Sequence, residues 1–236
     1  SLIRKAIKQC DTCVVSIFVN PTQFNNKKDF QNYPRDIEKD LKILRKLSIG
    51  FVYIPKIEHI YNTSNIVKIK LGKKEKILCA KFRKGHFEGV LNVMTRLTNI
   101  IKPSKIFMGE KDLQQLILVR KYIEKNLKVK IVSCKTIRDK NKLALSSRNN
   151  LLSKDEKLKA GKIARYLISF KKQLSIKKSF KKIISNKKKY LEELHDIKIE
   201  YLELRNKFNL KISSKKKNAK LFLAYNIGKV RLIDNF

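Results

Sequence analysis

Strand-like and helix-like patterns alternate along the first half of this 236-residue chain, and their order constrains the fold more than any other feature. Continuous apolar runs at residues 13–19 (CVVSIFV) and 51–54 (FVYI) predict buried strands, the first of them covered on both faces. Between them lies a helical pattern that opens at Pro34, because proline favours the first turn of a helix. Strand, helix and strand in this order predict a parallel, right-handed βαβ unit.

The same criteria extend to the rest of the chain. Ile37, Leu41 and Leu44 are expected to form the buried stripe of the helix after Pro34. The other predicted elements are a helix already under way at residue 1, a weak strand-like alternation at 66–69, a basic loop at 81–87, a helix over 90–101, strands at 105–108 and 129–134, helices over 155–171 and 177–194, and strands at 197–204, 221–225 and 230–233. The change to helix-then-strand order predicts a domain boundary near residue 138.

A polar turn joins the strand at 105–108 to an amphipathic helix that is expected from Asp112 onward, with Leu113, Leu116, Val119 and Ile123 on its buried face. In open α/β sheets, ligands bind at such carboxyl ends of strands. Lys111 brings a mobile positive charge to this turn, and Gln115 brings a neutral donor and acceptor. The alternative is an ordinary solvated turn.

Two serines and an arginine follow the predicted boundary, at Ser146, Ser147 and Arg148. Arginine offers a fixed fork of donors and serine adds short neutral ones, so the trio suits a phosphate. The alternative is a plain loop before a helix whose capping box is formed by Ser153 and Glu156.

The net charge of +37 admits a nucleic-acid partner, because clustered cations gain affinity by releasing phosphate counterions. The excess, however, is mostly lysine and is spread along the whole chain without interleaved aromatic residues. Biased genomic composition explains this pattern better than a selected binding face does, and a basic nucleic-acid-binding protein is kept only as an alternative function.

Cysteine usage and hydropathy predict a soluble cytosolic protein. Cys10 and Cys13 form a C-x-x-C spacing, but no second pair or nearby histidines accompany them, so free thiols are expected rather than a zinc or redox site. No apolar run approaches the roughly 18 residues of a membrane span.

Six segments, in this order and at these spacings, resemble the pantothenate synthetase (pantoate–β-alanine ligase) family over residues 1–236. They are SIFVNPTQF (16–24), YPR (33–35), FRKGHFEGV (82–90), GEKDLQQL (109–116), LALSSRN (143–149) and VRLIDN (230–235). The resemblance implies an α/β fold with a Rossmann-like parallel-sheet domain of the nucleotidylyltransferase class at 1–137. A smaller α+β lid domain would occupy 138–236.

The resemblance also implies an activity, ATP-dependent condensation of pantoate with β-alanine through a pantoyl adenylate, with release of AMP and pyrophosphate. By resemblance, the catalytic residues are Lys111, Ser146, Ser147 and Arg148. The ATP site would add Gly109, Glu110, Asp112, Ile137 and Leu145, and Gln23 and Gln115 would bind pantoate and β-alanine. The family further implies Mg²⁺ carried by ATP and a homodimer, and no residue of the sequence is assigned as a metal ligand.

The sequence departs from the family pattern at Met108, Lys84 and Lys142. The family's first strand and its H-x-G-H segment would precede Ser1, and no histidine of this sequence supplies that pattern. Either the sequence is part of a longer protein or the product is truncated, and in the second case ATP binding and turnover are expected to be lost or severely reduced.

Overall fold

The computed structural model describes residues 2–24, 30–31, 33–61, 69–174 and 180–236, and the chain divides into two compact units. Unit 1 comprises Ser1–Gly109 and Gln115–Cys134, and unit 2 comprises Glu110–Gln114 and Lys135–Phe236. The polar turn after residue 109 therefore groups with the carboxyl-terminal unit, although the strand and helix that flank it belong to unit 1. The domain division at residue 138 stays a prediction.

Unit 1 consists of short strands, helices and single helical turns. Its helices are α1 (Leu2–Ile7), α2 (Ile37–Arg45), α3 (Ile57–Tyr61), α4 (Cys79–Phe82), α5 (His86–Ile101) and α6 (Leu113–Val119), the last beginning in the turn that groups with unit 2 and continued by a π-helical turn at Arg120–Glu124. Its strands are β1 (Val14–Ser16), β2 (Phe51–Tyr53), β3 (Lys105–Gly109) and β4 (Lys130–Cys134), and 3-10 turns lie at Pro21–Gln23 and Lys73–Glu75.

The strands of unit 1 form two parallel pairs. β1 pairs with β2, and β3 pairs with β4, each in parallel register. The predicted parallel βαβ unit is therefore confirmed. The expectation that the first strand is covered on both faces is wrong, because it spans only three residues and Val14 and Ser16 are exposed.

β1 borders an apolar cavity of about 430 Å³, and Val14 and Ser16 are among the residues that line it. The cavity is lined by β1, by β3 and by apolar side chains of α1 and α5, which include Leu2, Ile3, Met94 and Leu97. Within the residues that the structure describes, β1 and β3 do not pair with each other.

Two predicted local features differ from the structure. The helix after Pro34 begins only at Ile37, because the side chain of Asp36 accepts a hydrogen bond from Lys39 N (2.9 Å) and caps it there. Ile37 is consequently exposed in the first turn, and only Leu44 of the predicted stripe is fully buried. The predicted basic loop at 81–87 also contains helix, since α4 and α5 both enter it.

Unit 2 is built on an antiparallel sheet. It contains β5 (Lys198–Asn206), β6 (Ala219–Ile227) and β7 (Val230–Asn235) in the order β5-β6-β7, and the helices α7 (Lys154–Gln173) and α8 (Phe180–His195). Single 3-10 turns lie at Glu110–Asp112 and Ser147–Leu151.

One hydrophobic core joins these helices to the sheet of unit 2. It buries helical side chains such as Ile163, Leu167 and Leu191 against sheet residues such as Leu204 and Leu221. The predicted capping box is confirmed, because Ser153 Oγ accepts from Glu156 N and the Glu156 carboxylate accepts from Ser153 N. This cap fixes where α7 begins.

The α/β class is confirmed, with parallel strand pairs and helices in one unit and an antiparallel sheet in the other. The predicted buried face of α6 and the turn after it is also confirmed, since Leu113, Leu116, Val119 and Ile123 are all buried. Most of the weak alternation at 66–69 lies outside the described residues. Among the residues described, no helix has the length and apolarity that crossing a membrane requires.

Truncation of Leu191 to alanine tests the core of unit 2. Leu191 is fully buried on α8, so Leu191→Ala is expected to lower the free energy of unfolding by about 2–5 kcal/mol through lost burial and a residual cavity. Leu194→Ala, on an exposed side chain of the same helix, is the matched control and is expected to change it by less than about 0.5 kcal/mol. Urea unfolding followed by circular dichroism measures both, and equal losses would contradict the assigned packing.

Lys171, in the last turn of α7, is expected to make the free energy of unfolding vary with pH in the alkaline range. Burial, together with the charges of Lys220, Lys216 and Lys207, lowers the pKa of Lys171 to about 8. Between that value and its ordinary 10.5 the unfolded chain binds more protons than the folded one, so this residue makes stability rise with pH. Lys171→Met is expected to flatten the rise between pH 8 and 10, whereas the same change at exposed Lys189 leaves it intact. Urea unfolding across this pH range provides the measurement.

Candidate functional site

Gln23 closes a short turn that a buried asparagine organises. Asn20 is 1% exposed, and its Oδ1 accepts hydrogen bonds from Thr22 N (3.1 Å) and from the Tyr61 hydroxyl (2.6 Å). Burial raises the pKa of Tyr61, which keeps this hydroxyl protonated as a donor. Asn20 Nδ2 donates to Gly89 O (3.1 Å), so one side chain ties the turn to both α3 and α5.

Gly89 lets the backbone of this turn approach α5 closely. A β-carbon built at Gly89 would lie 2.5 Å from Thr22 O, well inside van der Waals contact. Glycine is therefore required here for space rather than for its backbone angles. The contact places Gln23 directly over the amino-terminal turns of α5.

His86, the first residue of α5, holds the backbone of Gln23. Its Nδ1 lies 2.7 Å from Gln23 O, and its Nε2 lies 2.9 Å from Arg83 Nη1. A guanidinium can only donate, so Nε2 accepts and the proton is on Nδ1, which donates to the carbonyl. Arg83 Nη2 adds a second donor to the same carbonyl at 3.3 Å. The main chain of Gln23 is thus fixed while its side chain is left half-buried.

The other predicted site residues of unit 1 lie at the end of β3 and in α6. Gly109 is the last residue of β3, and Gln115 lies in the first turn of α6 with a half-buried side chain. Gln23 and Gln115 therefore belong to one unit but to separate elements.

The three remaining residues of the polar turn form the 3-10 turn at Glu110–Asp112 in unit 2. Lys111 Nζ lies 3.7 Å from Asp112 Oδ1, and the Lys111 side chain is 18% exposed. β7 packs against this turn, and Asn235 of β7 donates to its main-chain carbonyls. Lys111 is therefore a mostly buried cation with one neighbouring carboxylate.

Ile137 and Leu145 lie opposite each other in a short hairpin. Leu145 N donates to Ile137 O (2.9 Å), and inside this pair Arg138 bridges to Ala144 and Asp139 N donates to Leu143 O (2.9 Å). Both side chains are at least half exposed, at 50% and 54%. The hairpin therefore exposes two neighbouring apolar side chains on the surface of unit 2.

Ser146, Ser147 and Arg148 follow the hairpin at the start of the 3-10 turn Ser147–Leu151. Ser146 Oγ caps this turn by accepting from Arg148 N (3.3 Å), and Asn149 Nδ2 donates to Ala144 O (3.0 Å). β7 packs against this turn as it does against Glu110–Asp112. Strand β7 thus supports two turns at once, one carrying Lys111 and the other carrying Arg148.

The sequence reasoning missed the residues that hold these side chains in place, namely Asn20, His86, Asn149 and Asn235. Each lies inside one of the six motif segments, so the signal was present. No role could be derived for them because each donates to a main-chain carbonyl, and the position of such a partner cannot be recognised from side-chain identity.

Comparison with known proteins decides the family. The family model for pantoate-beta-alanine ligase matches residues 1–236. The chain belongs to the pantoate-beta-alanine ligase family. Two curated members are pantothenate synthetases, from Thermosipho africanus (36% identical over 237 residues) and Azobacteroides pseudotrichonymphae (39% over 242 residues). The match covers 100% and 99% of this chain, respectively, and 85% of each relative.

Solved structures of this ligase family have the same fold. Pantothenate synthetase from Thermus thermophilus superposes with a TM-score of 0.87 at 29% identity, over 100% of this chain and 86% of that one. The ligase from Francisella tularensis, solved with beta-gamma ATP and beta-alanine, has a TM-score of 0.83 at 35% identity, over 100% and 82%. The recognition from sequence and the assignment as a ligase enzyme are thereby confirmed.

Gly89→Ala tests the close approach that shapes the Gln23 turn. An alanine in a helix normally stabilises by about 0.5–1 kcal/mol relative to glycine. Here the added carbon would displace the Thr22 carbonyl, so a loss of about 1–3 kcal/mol is expected instead. Gly50→Ala, which meets nothing within 4 Å, is the control. Thermal and urea unfolding measure both, and a stabilised Gly89→Ala protein would contradict the contact.

Proposed function

We propose that the protein condenses pantoate with β-alanine through a pantoyl-adenylate intermediate. A carboxylate resists attack by an amine because its charge repels the nucleophile and resonance stabilises it. In the first step a pantoate carboxylate oxygen attacks the α-phosphorus of ATP. The new O–P bond replaces the bond to pyrophosphate, which leaves with its electron pair, and the acid becomes a mixed anhydride.

The second step uses the anhydride made in the first. The β-alanine amine attacks the acyl carbon, the bond to AMP breaks, and the nitrogen loses a proton as the amide of pantothenate forms. No residue of the protein has to form a covalent bond in either step. The work of the protein is to hold the reactants together and to stabilise charge at phosphorus.

The observation that carries this proposal is that β7 supports two turns, one carrying Lys111 and the other carrying Arg148. The role we assign to these turns is to stabilise the negative charge that develops at the α-phosphate. The residues that would do so are Lys111, Ser146, Ser147 and Arg148. Cations and short donors on turns that one strand supports need little reorganisation when that charge appears, which is the condition for effective electrostatic catalysis.

The remaining site assignments rest on chemistry and position. Ile137 and Leu145 offer apolar contact for adenine, and Gly109, Glu110 and Asp112 line the nucleotide beside Lys111. Gln23 and Gln115 bind pantoate, since neutral amides can hold hydroxyl and carboxylate groups without burying another charge. ATP is a substrate in this scheme. The Francisella tularensis relative, solved with beta-gamma ATP and beta-alanine, supports that role.

Magnesium is proposed to enter with ATP. Among the residues described, no three His, Cys, Asp or Glu side chains converge as a cage would require. Mg²⁺ is commonly held by substrate phosphates and water, so it can be bound without such a cage. A cytoplasmic homodimer and the division into a Rossmann-like domain at 1–137 and a lid domain at 138–236 also stay predictions.

Pantoate-dependent exchange of pyrophosphate into ATP isolates the first step and tests the assignment. Lys111→Met and Arg148→Met are each expected to lower the exchange rate by about 100-fold or more, because each removes a charge that acts mainly in the transition state. Lys189→Met, an exposed lysine of α8, is the matched control and is expected to exchange at the wild-type rate.

Two outcomes would overturn the proposal. One is wild-type protein that neither exchanges pyrophosphate nor releases AMP when ATP, Mg²⁺, pantoate and β-alanine are all present. The other is nucleic-acid binding with a steep salt dependence that survives both substitutions, which is the behaviour of a general basic surface.

A further inference from the structure

Asn235, the last residue of β7, contacts the main chain on both sides of the Lys111 α-carbon. It is 2% exposed. Its Nδ2 donates to Glu110 O (2.7 Å) and to Lys111 O (2.9 Å), and its Oδ1 accepts from Lys220 Nζ (2.8 Å). All of these residues belong to unit 2.

The orientation of this amide follows from its partners. An ammonium group can only donate and a carbonyl can only accept, so the oxygen must face Lys220 and the nitrogen must face the turn. The flipped amide would place donor against donor on one side and acceptor against acceptor on the other. The network therefore admits one arrangement of Asn235.

The two carbonyls that Asn235 holds flank a single α-carbon. Glu110 O belongs to the peptide unit before the α-carbon of Lys111, and Lys111 O belongs to the unit after it. Fixing both peptide planes fixes both backbone dihedral angles of Lys111, since these are the only soft ones at each residue. The direction in which the Lys111 side chain leaves the main chain is thereby set.

Asn235 is in turn anchored by a buried ion pair. Arg138 donates to both carboxylate oxygens of Asp234 (2.6 and 2.9 Å) and to Asn235 O (3.1 Å). Asn235 N donates to Asp234 Oδ1 (2.7 Å), and the Arg138 guanidinium lies 5.0 Å from the centroid of the Phe236 ring. Main chain and side chain of Asn235 are therefore both held.

We propose that Asn235 is a positioning residue for Lys111, which directs the ammonium group toward the reacting phosphate by clamping the two peptide units around it. This inference rests on the proposed function, because it assigns Asn235 a role only through Lys111. Lys220 contributes to this positioning, since its hydrogen bond to Asn235 Oδ1 keeps the amide nitrogen directed at the two carbonyls.

A merely structural role would have a different signature. If Asn235 only stabilised unit 2, its replacement would lower stability and cost the same fraction of activity whether or not Lys111 is present. If it acts through Lys111, its effect should vanish once the ammonium group is gone, because effects of residues that act as a unit do not add.

The test is a double-mutant cycle in pyrophosphate exchange. Asn235→Asp keeps the shape but turns the donor that faces the two carbonyls into an acceptor. We expect kcat to fall by about 10- to 100-fold in wild-type background, the range that small misplacements of a catalytic group produce. KM for pantoate is expected to change by less than about threefold, since uniform binding is untouched. In the Lys111→Met background, Asn235→Asp is expected to lower kcat by less than about threefold.

The control is Asn226→Asp, on β6 of the same sheet but six residues from Lys220 and thus about 20 Å away along the strand. It is expected to leave kcat unchanged. If Asn235→Asp does not fold, as judged by circular dichroism and thermal melting, Lys220→Met replaces it in the cycle. Releasing Oδ1 lets the amide flip, and a smaller loss of kcat with the same dependence on Lys111 is expected.

The outcomes separate this inference from the proposed function. If Lys111→Met itself leaves exchange intact, the role of Lys111 in the proposed function is wrong. If Lys111→Met costs activity but Asn235→Asp is harmless, or costs the same factor in both backgrounds, the positioning role is wrong and the proposed function stands.

Discussion

A buried amide group costs free energy when its donors and acceptors lack partners, and in this protein that cost shapes the turn that carries Lys111. Asn235 avoids this cost because its amide nitrogen donates to the carbonyls of Glu110 and Lys111 and its amide oxygen accepts from the ammonium group of Lys220. Lys220 is itself costly to bury: burial lowers its pKa, while the Glu110 and Asp234 carboxylates oppose that shift. The turn, the last strand and Lys220 thus form one electrostatic assembly, with the Arg138–Asp234 pair beside it.

The turn around Gln23 in unit 1 follows the same logic with different residues. Asn20 and His86 are buried, and each directs polar atoms to the main chain around Gln23. In both units, therefore, a second, buried side chain fixes the backbone of the residue that is proposed to meet the substrate. One residue is thus proposed to contact the substrate, while another fixes the position of its main chain.

The sequence predicted the elements well where periodicity is strong. Helix α5, the buried face that begins at Leu113, the capping box at Ser153 and the strands of unit 2 are all confirmed, because long apolar patterns and caps are local signals. It failed where two local signals compete or where tertiary surroundings decide. Pro34 and Asp36 both mark a helix start, and α2 follows the cap at Asp36. Val14 could not be recognised as exposed, since its exposure depends on what borders β1. The roles of Asn20, Asn149 and Asn235 could not be predicted either, because each donates to a main-chain carbonyl and every residue of a sequence has one.

The excess of lysine bears on how the protein behaves in concentrated solution. A net charge of +37 keeps molecules apart by mutual repulsion, but only while that repulsion reaches beyond the surface. At about 1 M salt the screening length shrinks to roughly 3 Å, so colloidal stability is expected to decline as ionic strength rises.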